Sequence, residues 1–472
     1  MQIPIISGIY SDASGDFRTS LPRNMIPVPK QQGISNGYLR PAEGVELQAT
    51  GPGGDRGGVN WNGVLYRVMG TKLCSIAADG APTVLGDVGG SGPVSMDYSF
   101  DRLGIASDGK LWYWGGATLS YVTDPDIGTV NAVHWIAGYF MTTDGVNLVT
   151  TDLADPASVQ TTHYGSAEAD PDRVQAVDEL RNEAYAFGRY TVEVFQNVGG
   201  DGFPFERLES AQVGKGIIGT SAYCALGNTY AFTGSGRGEA PAVYLMIPGD
   251  VQKISTREID TLLLAYSEAE LSELVMETRV DKNHQHVLIH LPDRCLVYDT
   301  IGSQAMGQPI WFQLDSGTTA PAQYRARGLV WCYDQWNVAD PITGQIGRLT
   351  DAVSTHYGDD VGWDFSAGVL YNEGNGAIVH ELELVCLPGR VALGADPVIW
   401  TSYSADGITW SQERKAKAGK QGQTTKRIAW RTQGPLRNWR VQRFRGLSDC
   451  RISVARLEAQ IEPLMNKAAA YG

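Results

Sequence analysis

Short apolar runs separated by turns dominate the chain from about residue 57 to 351. Val64-Leu-Tyr-Arg-Val68, Leu111-Trp-Tyr-Trp114 and Gly138-Tyr-Phe-Met141 are of strand length. Their β-branched and aromatic residues suit a pleated, half-buried surface. Asp-Gly recurs beside them, at Asp79-Gly80, Asp108-Gly109 and Asp144-Gly145. A two-residue hairpin turn needs positive φ at both positions, which favours that dipeptide. The units begin near residues 59, 94, 130, 174, 217, 276 and 326, mostly 35 to 60 residues apart. Degenerate repeats of this length, each a small antiparallel sheet unable to bury both faces alone, predict a β-propeller of six or seven blades.

Three departures frame this pattern. Residues 1–56 carry Pro22, Pro27, Pro29, Pro41 and Pro52 with few strand-length runs. Proline fixes φ and cannot donate to a ladder, so this segment is expected to be an extended N-terminal arm laid over the rest. Inside the repeats, Ser255-Thr-Arg-Glu258 and Ser267-Glu-Ala-Glu270 have capping-box spacing. Each precedes apolar residues on one helical face, first Ile259, Leu262, Leu263 and Tyr266, then Leu271, Leu274 and Val275. A helical insertion at about 255–276 follows. Strand-like runs return at 378–387, 398–404, 428–431, 439–444 and 452–457. They predict a C-terminal β-sandwich-like module over 352–462, with a loosely held tail at 463–472. The propeller itself is assigned to 57–351, and the fold class is all-β.

Composition narrows the classes. Among 472 residues, 43% are apolar and 19% charged, which excludes wholesale disorder. No apolar run reaches the roughly 18 residues of a membrane helix, and the N-terminus lacks a signal pattern, so no membrane anchor is expected. The six cysteines are scattered without a C-x-x-C pair. They read as buried reduced thiols rather than a disulfide framework or zinc site.

Charge adds one asymmetry. The net charge is −14, yet residues 401–456 hold 13 Lys and Arg against 3 Asp and Glu. Arg414, Lys415, Lys417, Lys420, Lys426 and Arg427 surround a polar loop, and Arg431, Arg437, Arg440, Arg443 and Arg445 follow. Such a stretch is a solvated face, a contact for an acidic partner subunit, or a contact for DNA phosphates without sequence readout.

Catalytic signals are weak. His284-Gln-His286 and His290 share a strand face, but Leu288 lies between them and no neighbouring cysteine or second cluster completes a set. A structural role outweighs a metal there. Gly214-Lys-Gly-Ile-Ile-Gly-Thr220 lacks the order of a phosphate loop. Ser404-Ala-Asp-Gly-Ile-Thr-Trp410 approaches a sialidase Asp-box but misses one residue and occurs once, as a hairpin would. No nucleophile elbow occurs. No catalytic, cofactor-binding or metal residue is assigned, and the chain reads as a non-enzyme.

Several segments resemble one family in order along nearly the whole chain. They are Phe17-Arg-Thr-Ser-Leu-Pro-Arg-Asn-Met25, Gly37-Tyr-Leu-Arg40, Gly214-Lys-Gly-Ile-Ile-Gly-Thr220 and Ala240-Pro-Ala-Val-Tyr244. Leu264-Ala-Tyr-Ser-Glu-Ala-Glu-Leu271, His290-Leu-Pro-Asp-Arg-Cys-Leu-Val-Tyr-Asp299, Ser404-Ala-Asp-Gly-Ile408 and Trp430-Arg-Thr-Gln-Gly434 continue the series. The set resembles the packaged-DNA stabilisation proteins of short-tailed phages, the tail hub or nozzle subunits of the Salmonella-podovirus type. The resemblance implies a virion protein assembled in the host cytoplasm, forming a ring that is hexameric in the family. It implies contacts with the head-to-tail adaptor, tailspike or fibre, the needle or plug, and passing DNA. Closure of the DNA exit after packaging is part of the same implication. The alternative is a propeller carbohydrate-binding protein or glycosidase, with tryptophan-rich blade loops as sugar platforms.

Overall fold

Seven antiparallel sheets succeed one another around a ring in the computed structural model, which describes residues 1–6, 8–11, 17–30, 35–153, 155–167, 170–372 and 375–464. The first six sheets begin at Asp55, Ser95, Ala132, Val174, Gly216 and Val275. The seventh contains Arg327–Cys332, Gln335–Ala339 and Gln345–Thr350, and its fourth strand is Gly44–Thr50. The ring is therefore a seven-bladed propeller sealed by a strand from the N-terminal segment. A buried ion pair reinforces the seal. Arg67 of the first blade meets Asp55 at 3.0 Å and donates to the carbonyls of Gly328 (2.5 Å) and Asn337 (3.0 Å) in the seventh.

Blades form where two-residue turns join the two inner strands. Asn62-Gly63, Ala137-Gly138, Arg181-Asn182, Lys282-Asn283 and Tyr333-Asp334 all have positive φ at both positions. Asp108-Gly109 has the same geometry but joins the second and third strands of its blade. The Asp-Gly cue thus marks hairpins correctly but none of these inner ones, three of which hold two non-glycine residues in the left-handed region. Strands in the middle of a blade are covered on both faces, as in Leu103–Ser107 and Cys295–Asp299, which are buried throughout. The axial cavity is about 490 Å³ and is lined by residues such as Gly58, Met96, Ala132, Asp178, Tyr223, Glu277 and Leu329.

Two short helices occupy the expected insertion. Ser267 and Glu270 form the reciprocal cap of Glu268–Ser272, as the spacing predicts. The first cap differs: Thr256 precedes Arg257–Leu263, while the Ser255 hydroxyl donates to Asp260 and Glu258 accepts from the Thr19 amide. A third helix, Thr300–Met306, was not expected. Asp299 caps its N-terminus and Gly307 ends it in the left-handed region.

The second unit is a sandwich of two sheets. One has the order 25–29, 37–41, 454–463, 377–386, 428–436, with Gln2–Ile3 also on the 454–463 strand. The other runs 362–366, 439–447, 398–404, 414–417, with Leu370–Tyr371 also on 439–447. Their inner faces share a core that includes Met25, Leu39, Phe365, Leu382, Trp430, Phe444 and Leu457. The described residues of the 1–56 segment thus form extended strands, and they supply strands to both units. Met25–Pro29 is an edge strand, which is where Pro27 and Pro29 can sit without breaking a ladder on both sides. The tail beyond 464 lies outside the described residues. All six cysteines are free, five buried and Cys386 half-buried.

Candidate functional site

The basic stretch resolves into groups with different partners. Arg414–Lys417 is the outer strand of its sheet, paired on one side with Val398–Ser404. Charges there deter edge-to-edge pairing. Lys417 pairs with Asp396, and Arg427 pairs with Glu381 (2.9 Å) and Glu383 (2.5 Å). Arg431 shares Glu381 at 3.2 Å, and Arg445 meets Glu413 at 2.5 Å while covering Trp400. Arg414 donates to the Thr432 carbonyl. Arg440 is buried, stacks on Tyr403 at 3.8 Å and donates to the Gln433 carbonyl and Gln442 side chain; burial pushes its pKa down to about 10. Among the described residues, the ammonium groups of Lys415, Lys420 and Lys426 form no ion pair within 4.0 Å, although Lys420 and Lys426 lie in the field of Asp396. The six sequence-assigned residues therefore share one region: Lys417 and Arg427 meet carboxylates, Arg414 meets only a backbone carbonyl, and Lys415, Lys420 and Lys426 form no ion pair among the described residues.

A second site was hidden in the Phe17–Met25 segment. Arg23 lies between the units, with its backbone bridged to Gln313 of the sixth blade and to Asp364 of the sandwich. Its guanidinium grips Asp315 in a bidentate pair, at 2.5 and 2.7 Å, and reaches Asp364 at 3.4 Å. It also donates to the Gly317 and Ala320 carbonyls. Asn24 completes the junction from a left-handed conformation, φ 51°, donating to the carbonyls of Asp315 and Gly362 and accepting from the Asp315 amide. Nothing in residue type or spacing marks this role, because its partners are nearly 300 residues away.

The remaining motifs divide. Lys215 is bound by Glu239, and a Cβ on Gly219 would stand 2.0 Å from the Ser272 carbonyl oxygen; the glycine-rich segment allows close packing rather than phosphate binding. Asp406 accepts from the Ile408 and Thr409 amides and from the Ser404 and Thr409 hydroxyls, which fixes a hairpin. The histidines fare differently from expectation. His284 and His286 are joined by Asp299, giving three buried groups whose ligand atoms lie within 4.8 Å of one another. The sequence reading found no third ligand because Asp299 arrives from the next strand, in cross-strand register with His286. The four-residue connection between paired His290 and Cys295 was the signal that could have placed it. His290 instead meets Glu277 at 3.1 Å.

Comparison with known proteins gives a consistent assignment. A family model described as "Bacteriophage P22 Gp10, beta-propeller" matches residues 1–354, and one described as "Bacteriophage P22 Gp10, beta-sandwich" matches 362–462. The tail hub protein gp10 of Salmonella phage P22 is 28% identical over 483 residues, covering 98% of this chain and 99% of that protein. Among solved structures, the Neurospora crassa Pan2 WD40 domain aligns with 9% identity and a TM-score of 0.43, over 66% of this chain and 95% of that one.

Proposed function

The chain belongs to the bacteriophage P22 Gp10 family, and on that premise we propose that it is the structural tail hub subunit of a short-tailed phage. The observation that carries this is collinearity: the relationship spans propeller and sandwich together, end to end. The finer reading has several parts. Subunits form a ring, six in number, beneath the head-to-tail adaptor. The ring closes the DNA exit after packaging and carries the tailspike or fibre and the needle.

The architecture supports a passage between subunits. An axial cavity of about 490 Å³ is of small-molecule size, so duplex DNA has no path through a single propeller. Lys415, Lys420 and Lys426 are among the exposed charges of the basic stretch without a carboxylate partner among the described residues, and so can meet an acidic neighbour or passing phosphates. The sugar-binding or glycosidase alternative relied on tryptophan platforms; Trp61, Trp114 and Trp311 are buried in the sheets, and half-exposed Trp331 packs edge-on against Trp336.

The test is a phage lacking this protein. Heads should fill with DNA and then lose it, and purified subunit added back should restore retention. Heads that stay full without the subunit would overturn the closure role.

A further inference from the structure

We propose that His284, His286 and Asp299 form a site for one divalent transition-metal ion, zinc in the first instance, which braces the sixth blade against the N-terminal arm. His284 Nδ1 stands 2.5 Å from Asp299 Oδ2, and His286 Nε2 stands 3.8 Å from the same oxygen. Ligand atoms of a tetrahedral zinc with bonds of about 2.0–2.1 Å are roughly 3.3 Å apart. The two observed separations bracket that spacing, and all three ligand atoms lie within 4.8 Å of one another.

An independent observation points to a missing partner. His286 is buried, and its Nε2 has no hydrogen-bond partner among the described residues. An imidazole nitrogen shut away from water without a partner is unfavourable, and a metal ion would satisfy it. Asp299 is already held in place. Its Oδ1 accepts from the Gly302 amide at 3.0 Å, and its carbonyl accepts from the Ser303 hydroxyl at 2.6 Å. Such outer contacts orient a ligand before the ion arrives. Arg279 is the cross-strand partner of His286, but its charge is matched by Glu43 at 3.2 Å and Asp281 at 2.6 Å.

Two imidazoles and one carboxylate suit zinc, with water in the fourth position, better than magnesium or calcium, which prefer all-oxygen sets. The consequence is mechanical. Helix Thr300–Met306, begun by Asp299, packs on both His284–His290 and the arm strand Met25–Pro29. The ion would tie these three elements together.

The full-length protein, stripped with EDTA and titrated with zinc chloride, should bind one zinc per chain and gain in melting temperature. His286→Gln should keep the metal-free melting temperature, having no hydrogen bond to lose at Nε2, and should bind zinc at least about 100-fold more weakly. Cobalt(II) on the wild type should give a tetrahedral visible spectrum that His284→Gln abolishes. Substoichiometric zinc on the wild type at saturation, full zinc binding by both variants, or a wild-type cobalt spectrum without tetrahedral bands would each overturn the site. The cobalt result on the wild type decides even if a variant fails to fold.

Discussion

Arg23 and Asp315 form a bidentate ion pair at the junction of the two units, with 6% and 0% of their side chains exposed. Together with Asp364 on the sandwich side, the pair makes one arginine answerable to both units at once. Removing one partner of a buried pair leaves the other charge uncompensated, which typically costs 3–5 kcal/mol. Arg23→Ala should therefore lose about 3–5 kcal/mol in denaturant unfolding. Arg23→Lys should lose less, keeping the charge but not the two-pronged contact. A loss under about 1 kcal/mol for the alanine variant would show that the junction does not depend on this pair.

His356 predicts a pH dependence. It is buried in the connection between the units, accepts or donates to the Ser316 hydroxyl at 2.8 Å, and packs edge-on to Tyr324. Burial, helped by the Arg325 charge and opposed by Asp359, lowers its pKa to about 4. The unfolded chain takes up this proton near pH 6.5 and the folded chain only near 4. The contribution is therefore complete above about pH 6.5 and lost as the pH falls through that window, by roughly 3–3.5 kcal/mol at most. Stability measured from pH 7 to 4 should fall with a slope that His356→Gln reduces by about one proton. An unchanged slope in the variant would remove His356 as the cause.

The sandwich core has a clear weak point. Phe444 is fully buried, stacked on Phe365 at 5.4 Å and tilted against Trp430 at the same distance. Phe444→Ala should cost about 3–5 kcal/mol. Calorimetry would locate the loss, and because sandwich and arm share strands, the propeller seam should loosen with it. A variant with wild-type melting behaviour would contradict this packing.

The three uncompensated lysines test the electrostatic reading. Lys415→Glu with Lys420→Glu and Lys426→Glu should leave the fold intact, since none makes an ion pair that would be lost. If they face an acidic neighbour, ring or adaptor assembly should weaken, and wild-type assembly should weaken as salt shortens the Debye length from about 10 to 3 Å. Normal assembly with altered DNA retention would place them at the DNA instead. Arg427 and Lys417 are poorer choices, because reversing them would strand Glu381, Glu383 or Asp396.

Repetition was readable in the sequence, and long-range closure was not. Blade starts stand near their expected positions because alternation and turns act over a few residues. Gly44–Thr50 alternates as a strand should, but its partner is Gln345–Thr350, so the neighbouring prolines made the whole segment look like an arm. The basic stretch was visible as composition, whereas its neutralisation by Glu381, Glu383, Glu413 and Asp396 depends on the fold. Arg23 and Asp299 escaped for the same reason. Each acquires its role from residues brought alongside by sheet register or by the meeting of two units.

Sealing the seventh blade with Gly44–Thr50 also sets a timetable for biosynthesis. At 5–20 residues per second, roughly 15–60 s separate the emergence of that strand from the emergence of its partner. During this interval the open ends of the ring expose unpaired strand edges, and a ribosome that stops early leaves them exposed for good. The sandwich waits longer still, since Gln2–Ile3 pairs with Val454–Pro463. A chain that stops before Gln345–Thr350 thus cannot close its propeller, and one that stops before Val454–Pro463 closes the ring but leaves the sandwich a strand short.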